Sequence, residues 1–391
     1  MKIGLVTPYD WSYPGGVRDH VWHLADEFLA MGHEIRILAP ASRSYRRSQE
    51  TPEHYLLKMG RTTPIPINGS IARIILDPSL ALRVRRVLQR EHFDVIHVHE
   101  PLVPGLSQQV LRFAHTLTVG TFHAASYSSI YSTSQLAYAS TFPLLRPLFR
   151  KLAGRIAVST AARQFVGRYF PGEYRVIPNG VSLERFHPGV QPLPQFMDGK
   201  KNVLFVGRFE KRKGAKYLLR AIPYIRQRHP DTRFIFVGEG RLRPGFQRYV
   251  ERQGWQDVHF EGYVSDEALP RYFASAHVFS APAIGGESLG IVLLEAMASG
   301  VAIVASNILG YATVVSHGQD GLLTMPRQSE EHGWAICYLL EHEQMRQRFI
   351  QAGLHKAQEY AWPNVAQRII DYYYELLEQR GYSAVRHFYR A

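Results

Sequence analysis

Only one cysteine, Cys337, occurs in the 391 residues. A single thiol excludes an internal disulfide and any multi-cysteine metal centre, and it suits a reducing compartment. Long apolar runs are also missing. The best candidate, Ile291 to Ser306, contains Glu295 and falls short of the roughly 18 apolar residues of a membrane span. Met1 to Val6 reads at once as a strand, without the apolar core of a secretory leader. Acidic residues are in deficit, 33 against 46 basic ones, which leaves a formal charge of +13. Such a surface favours nucleic acid, anionic lipid or an anionic substrate. The basic residues are not interleaved with an aromatic platform on a nucleic-acid module, which argues against nucleic acid. Neither G-x-G-x-x-G nor G-x-x-x-x-G-K-[ST] occurs, so the chain carries neither the dinucleotide fingerprint nor a P-loop. No solenoid-type repeat and no low-complexity segment is present.

What is present is α/β patterning long enough for two domains. The stretch Gly285 to Gly300 dominates it, a glycine-rich turn with Glu287, then a short apolar helix carrying Glu295, then a glycine stop. Apolar runs enter it at His277–Ala283 and leave it at Val301–Ala305, giving strand, loop, helix, strand. Glycines let backbone amides approach a ligand, and a helix start carries partial positive charge, so such a loop suits a diphosphate. The carboxylates would repel phosphate and suit hydroxyls, as on ribose or a sugar. A nucleotide-sugar satisfies both. Upstream, Val203–Arg208 reads as a strand, and the loop to Gly214 carries Lys211, Arg212 and Lys213. Arg208 and Lys213 lie where a strand ends and a helix begins, the usual position for holding an anion.

The first half repeats the scheme. Ile3–Val6 predicts a strand, Pro14-Gly15-Gly16 a loop, and Val21, Leu24, Ala25 and Phe28 a helix ending at Met31-Gly32. His97 and His99 share one face of a strand; lacking a nearby cysteine or an evident third ligand, they read as packing groups, and no metal site is expected. His123 stands at the C-terminal end of a strand, where open α/β sheets place ligands. The helix Ser79–Glu91 gathers Arg83, Arg86 and Arg90 on one face with Arg85 beside them, and no acidic residue lies within Ser79–Arg90. An anionic bilayer is one partner for that face; plain solvent is the other reading. The segment Ala124–Leu152, aromatic and basic, reads as a helical pair or a lid. Pro188–Gly199, rich in proline and glycine, reads as a linker. The expected layout is therefore residues 1–187, a linker at 188–199, residues 200–362, and a terminal helix at 363–391 packing back on the first domain. Two open α/β domains of this kind are expected to face each other across a cleft.

Taken together, Gly285–Gly300, Val206-Gly207-Arg208 with Lys213-Gly214, Pro178-Asn179-Gly180-Val181 and Pro14-Gly15-Gly16-Val17 resemble the retaining glycosyltransferases of the GT-B fold. Pro8-Tyr9, Pro64 to Arg73 and Gly285-Gly286-Glu287-Ser288 further resemble the phosphatidylinositol mannosyltransferases that add the first mannose. The resemblance implies that Gly16, Arg208, Lys213 and the Ser288-Leu289-Gly290 turn hold the donor diphosphate. It gives Glu287 the sugar hydroxyls, Glu295 the ribose, and His123 a contact near the reacting carbon. Tyr9, Asn68, Ser70 and Arg73 would surround an inositol phosphate, with Arg18 as a further acceptor candidate able to bind a phosphate, and Arg83, Arg85, Arg86 and Arg90 would dock on anionic lipid. GDP-mannose is the implied donor, with no cofactor required, since no D-x-D occurs. The implied location is cytoplasmic, peripheral on the inner face of the plasma membrane. Arg18 and Ala124 depart from the polar uncharged residues of that acceptor pocket. They leave open a second reading, UDP-glucose or another donor with a different lipid or soluble sugar acceptor.

Overall fold

The computed structural model describes residues 1–13, 15–42, 55–67, 70–124 and 143–388. The chain divides into two units, Met1–Asn179 with Trp362–Ala391, and Gly180–Ala361.

In the first unit, β1 (Lys2–Val6), α1 (Gly16–Ala30), β2 (Glu34–Ala39) and β3 (Leu56–Lys58) are followed by a hairpin, β4 (Thr63–Ile67) and β5 (Ser70–Ile74). Next come α2 (Leu80–Glu91), β6 (Val95–His99), α3 (Leu106–Phe113), β7 (Leu117–Phe122), α4 (143–150), β8 (Gly154–Ala157), α5 (Thr160–Tyr169) and β9 (Arg175–Val176). Seven strands form one parallel sheet in the order β3-β2-β1-β6-β7-β8-β9. Ile3, Leu5 and Val6 are fully buried, as expected of a strand covered on both faces. Helix α1 buries Val21, Leu24, Ala25 and Phe28 at helical spacing, and His20 joins the same face. Each large apolar side chain buried in this way contributes roughly 1.5–3 kcal/mol.

The second unit contains β10 (Lys201–Val206), α6 (Ala215–Arg228), β11 (Thr232–Val237), α7 (Arg243–Arg252), β12 (Val258–Gly262), α8 (Leu269–Ala274) and β13 (Val278–Ala281). It continues with α9 (Ile291–Ala298), β14 (Ala302–Ser306), α10 (Leu309–Ala312), β15 (Leu322–Thr324), α11 (Ser329–Glu341) and α12 (Glu343–Glu359). Its parallel sheet runs β12-β11-β10-β13-β14-β15. The last helix, α13 (Trp362–Phe388), belongs to the first unit. There Val365, Ile369, Tyr373 and Leu376 join the core that contains Val21, Leu24 and Phe28 of α1.

The division falls at Asn179/Gly180, ahead of the stretch expected as a linker. Within that stretch, Leu193 and Phe196 are buried in the core of the second unit, and the Leu193 amide donates to Ser275 Oγ at 2.9 Å. Two apolar anchors hold a proline-rich segment that composition alone presents as a spacer. Among the described residues no helix is long and apolar enough to cross a membrane.

Candidate active site

In each sheet the strand order reverses beside the first strand of its unit, between β1 and β6 and between β10 and β13. Open parallel sheets bind ligands at the C-terminal ends of the strands that flank such a switch point. The candidate residues collect at both.

In the second unit the loop after β10 carries Arg208, Arg212 and Lys213, with Lys211–Lys213 forming a single 3-10 turn. The loop after β13 carries Glu287. Only 9% of Glu287 is exposed, and its Oε1 lies 2.9 Å from Lys213 Nζ while also accepting from Arg212 Nη1. Arg212 bonds Glu210 Oε2 at 3.1 Å as well, and Arg208 Nη1 lies 2.9 Å from Glu210 Oε1. Three cations and two carboxylates thus form one network. The Ile284 amide donates to the Arg212 carbonyl at 2.8 Å, which ties the two loops together through the backbone.

Helix α9 starts beside this network. Gly290 caps it at φ 81, in the left-handed region, and a Cβ there would stand 2.5 Å from the Tyr311 ring. Leu289 is buried, and the buried Ser288 hydroxyl makes no hydrogen bond among the described residues. The Leu293 amide donates to the Gly290 carbonyl at 2.9 Å, and the Ile291 and Val292 amides, which have no intrahelical acceptor, are available to an anion. Glu295 is half-buried midway along α9. Arg212 was not singled out from the sequence as a site residue. Its signal was present, a third cation between two that were chosen, but its carboxylate partner lies 75 residues away.

In the first unit three imidazoles meet at the switch point. His99 Nδ1 and His123 Nε2 are 3.0 Å apart, and His20, from α1, packs edge-on against both rings. His97 is fully engaged, with Tyr373 Oη at 2.6 Å on Nδ1 and Thr121 Oγ1 at 2.6 Å on Nε2. Burial holds His97 and His123 down at about 3 and pushes His20 and His99 well below the usual histidine range, and neighbouring imidazoles deepen the shift of His20, His97 and His99. Glu100, at φ 50, accepts from the His123 amide at 2.8 Å and the Ala124 amide at 2.9 Å. Burial raises its carboxyl to about 7 against the pull of those two amides. The carboxyl therefore holds the turn that presents His123. Neither Glu100 nor His20 was singled out from the sequence. His20 left one trace, a polar residue on the buried stripe of α1.

The remaining acceptor candidates among the described residues lie in the loop after β1, in the first turn of α1 and on the β4–β5 hairpin. The Arg18 guanidinium lies 5.7 Å from the centroid of the buried Trp11 ring, and Arg73 stacks over Tyr13 at 4.0 Å. Tyr9 is half-buried after β1, and Ser70 opens β5. A Cβ on the exposed Gly16 would meet nothing within 4 Å, so packing within the protein does not demand glycine there. Asn68, Pro14, and the residues at 125–142 of the segment read as a helical pair or lid, lie outside the described residues.

The arginine helix differs from its sequence reading. Arg83 Nη2 lies 2.6 Å from Asp77 Oδ2 and its Nε donates to the Met59 carbonyl, while Arg90 Nη2 lies 2.7 Å from Glu91 Oε1. The acidic partners flank the run of arginines, Asp77 ahead of α2 and Glu91 as its last residue. Arg85 and Arg86 are exposed and form no ion pair among the described residues.

Comparison with known proteins agrees with this architecture. Residues 194–356 match the family described as Glycosyl transferases group 1, and residues 14–185 match Glycosyltransferase Family 4. The phosphatidyl-myo-inositol mannosyltransferase of Mycobacterium leprae (strain TN) is 38% identical over 377 residues, covering 95% of this chain and 96% of the relative. The enzyme of the same name from Mycolicibacterium smegmatis is 36% identical over 378 residues, covering 95% and 93%. Among solved structures, the sucrose-phosphate synthase of Thermosynechococcus elongatus superposes with a TM-score of 0.77 at 20% identity, covering 97% of this chain and 99% of that one. Anabaena HepE, in complex with UDP and glucose, gives 0.71 at 19% identity, covering 95% and 98%. The fold is GT-B, built from two Rossmann-like units with parallel sheets. The chain belongs to the same glycosyltransferase family as the mycobacterial phosphatidyl-myo-inositol mannosyltransferases.

Proposed function

We propose that the chain transfers mannose from GDP-mannose to a phosphatidylinositol-type lipid at a membrane surface, with retention at the anomeric carbon. The observation that carries this reading is the network of Arg208, Arg212, Lys213 and Glu287 at the switch point beside the start of α9. The identity to the inositol mannosyltransferases over 95% of the chain supports the choice of substrates.

Before the donor arrives, Glu287 pairs with both Lys213 and Arg212. A diphosphate would draw Lys213 and Arg208 to its oxygens, together with the amides that open α9, and Glu287 would turn to the sugar hydroxyls. Glu295 would take the ribose. As the bond to the sugar breaks, charge grows on the departing diphosphate, and preorganised cations are most effective there. No glutamate is assigned as a covalent nucleophile. The acceptor hydroxyl would attack from the face that the diphosphate leaves, and the leaving phosphate would help take its proton. His123, held by Glu100, is assigned to the donor sugar near the reacting carbon, and the diphosphate charge needs no resident metal in this scheme. Tyr9, Arg18, Asn68, Ser70 and Arg73 are assigned to the inositol phosphate, and Gly16 to the donor. Arg85 and Arg86, with Arg83 and Arg90 beside them, would meet anionic headgroups at the inner face of the plasma membrane.

A second reading keeps the enzyme and changes its substrates to another nucleotide-sugar, such as UDP-glucose, and another lipid or soluble sugar acceptor. Arg18 and Ala124 favour it, because they place a cation and a methyl group among the acceptor candidates. Thermal unfolding with GDP, GDP-mannose, UDP and UDP-glucose separates the donors. The first reading predicts a rise in midpoint with the guanine nucleotides only; a rise confined to UDP and UDP-glucose would replace it with the second.

A further inference from the structure

We propose that the first unit holds a second anion site, for a soluble phosphorylated small molecule, at the end of its sheet opposite His123. A cavity of about 1110 Å³ opens there between α5, α13 and the loop that leads into β9. Its lining carries four arginines, Arg155, Arg163, Arg168 and Arg175, against two carboxylates, Glu173 and Glu375. Arg155 lies near the start of β8 and Arg175 opens β9, so the cavity sits by the N-terminal ends of these strands. His123 follows the C-terminal end of β7, which runs parallel to β8. Every lining residue belongs to the first unit, whereas the Arg208–Lys213 cluster belongs to the second.

Aromatic rings preorganise two of the guanidinium groups. Arg155 Cζ lies 4.4 Å from the centroid of the Phe149 ring, and Arg175 Cζ lies 4.4 Å from that of Tyr372. A guanidinium stacked by its face keeps its N–H edges for two parallel bonds to a phosphate or carboxylate. Arg175 already shows this use, with Nη1 and Nη2 donating to the two Glu375 oxygens at 2.8 and 2.7 Å. Arg155 has no such carboxylate among the described residues, and its buried Nε makes no hydrogen bond there. Arg163 is exposed and also forms no ion pair among the described residues. Glu173, exposed at the rim, is the one acidic group of the lining beyond the Arg175 pair.

Gly167 is an independent mark of a ligand. It stands inside α5 on the cavity wall, between Arg163 and Arg168, and a Cβ there would meet nothing within 4 Å. Glycine within a helix costs about 0.5–1 kcal/mol relative to alanine, and packing in the protein does not demand it here. It leaves a wall without side chain against which a ligand can lie. The volume is a little above the roughly 300–1,000 Å³ of small-molecule sites, enough for a phosphate ester and more than a bare ion needs. A concave site between two helices admits a small molecule and not the flat face of a bilayer.

The test titrates inorganic pyrophosphate into the full chain by calorimetry at about 0.15 M salt, which screens exposed charge. Lys213→Ala serves as the background, so that the cluster of the second unit is weakened throughout. We expect one saturable site in that background. Gly167→Glu places a carboxylate on the cavity wall without removing a contact, and it should weaken binding by roughly tenfold or more, the scale of a charge-assisted bond. Arg155→Gln/Arg163→Gln should do the same, whereas Arg85→Ser/Arg86→Ser, which removes two charges from α2, should leave the affinity unchanged. Circular dichroism checks folding, and Gly167→Glu decides the question if the arginine variant fails to fold. No saturable binding in Lys213→Ala, or equal affinity in Gly167→Glu, would overturn the site and leave the donor reading untouched. Sedimentation with anionic vesicles should not distinguish Gly167→Glu from wild type; a loss there would assign the phosphate to a lipid headgroup and overturn the soluble ligand.

Discussion

The Glu287 carboxylate stands 2.9 Å from the Lys213 ammonium and accepts a second, charge-assisted bond from Arg212. Two groups assigned to different parts of one donor are therefore a single neutralised unit in the protein alone. Removing Glu287 leaves the Lys213 ammonium without its carboxylate, whereas removing Lys213 leaves Glu287 paired with Arg212; a buried pair broken on one side costs more than the contact itself contributes.

Lys213→Ala and Glu287→Ala should each lower kcat/KM by about 10²–10³, the range of a lost transition-state contact. Because the two side chains touch, the double variant should lose much less than the product of the single losses. Steady-state rates for the four combinations check this; strict multiplicativity would show that they act separately.

Two glycines around Glu287 have no room for a methyl group. A Cβ at Gly310 would sit 2.1 Å from the Glu287 carbonyl oxygen, and one at Gly290 would meet the Tyr311 ring at 2.5 Å with φ at 81. Strain and overpacking together predict a loss of about 2–4 kcal/mol for Gly290→Ala. Gly310→Ala should also displace the Glu287 loop and weaken diphosphate binding. Gly167→Ala, on α5 with nothing within 4 Å, serves as the control and should leave the midpoint unchanged or slightly raised. Thermal unfolding of the three variants decides it.

His332 links pH to stability. It is buried between Ser280 Oγ at 2.8 Å and Thr324 Oγ1 at 2.9 Å, and burial lowers its pKa to about 4. A histidine depressed in the folded state binds its proton more readily when unfolded. Its stabilising contribution is therefore complete above the unfolded value near 6.5 and is lost as pH falls toward 4. The difference corresponds to roughly 3 kcal/mol. Denaturant unfolding from pH 7.5 to 4 should show a shallower acid loss in His332→Gln than in the wild type.

On α2, the pairing of Arg83 and Arg90 shifts the expected membrane contribution to Arg85 and Arg86. At about 1 kcal/mol for each arginine near an anionic surface, Arg85→Ser/Arg86→Ser should weaken binding to anionic vesicles by roughly 30-fold. Binding to neutral vesicles should be negligible for both proteins. Sedimentation with the two vesicle types measures it, and equal binding of variant and wild type would remove α2 from the membrane role.

Much of this was legible in the sequence because it is local. Buried parallel strands read as apolar runs, α1 and α13 as stripes at helical spacing, and the glycine loops as breaks between them. The site residues in the loops after β10 and β13 followed from their place at strand ends. What was not legible depends on pairing at long range. Arg212 meets Glu287 across 75 residues, Tyr373 reaches His97 across 276, and His20 needs the sheet order to find His99 and His123. The charge on α2 looked unpaired because Asp77 and Glu91 stand just outside the run of arginines. In the stretch read as a linker, Leu193 and Phe196 are buried in the core of the second unit, a long-range packing that its proline-rich composition does not announce.

The central claim is the substrate pair, and a donor-by-acceptor assay tests it most directly. Purified protein is incubated with GDP-mannose or UDP-glucose, each with vesicles containing phosphatidylinositol, vesicles without it, or a soluble sugar acceptor, and the products are resolved by mass. The account predicts a single mannosylated phosphatidylinositol product, formed from GDP-mannose only and lost in Lys213→Ala. Turnover with UDP-glucose and a soluble acceptor, with no product from GDP-mannose and phosphatidylinositol, would contradict it.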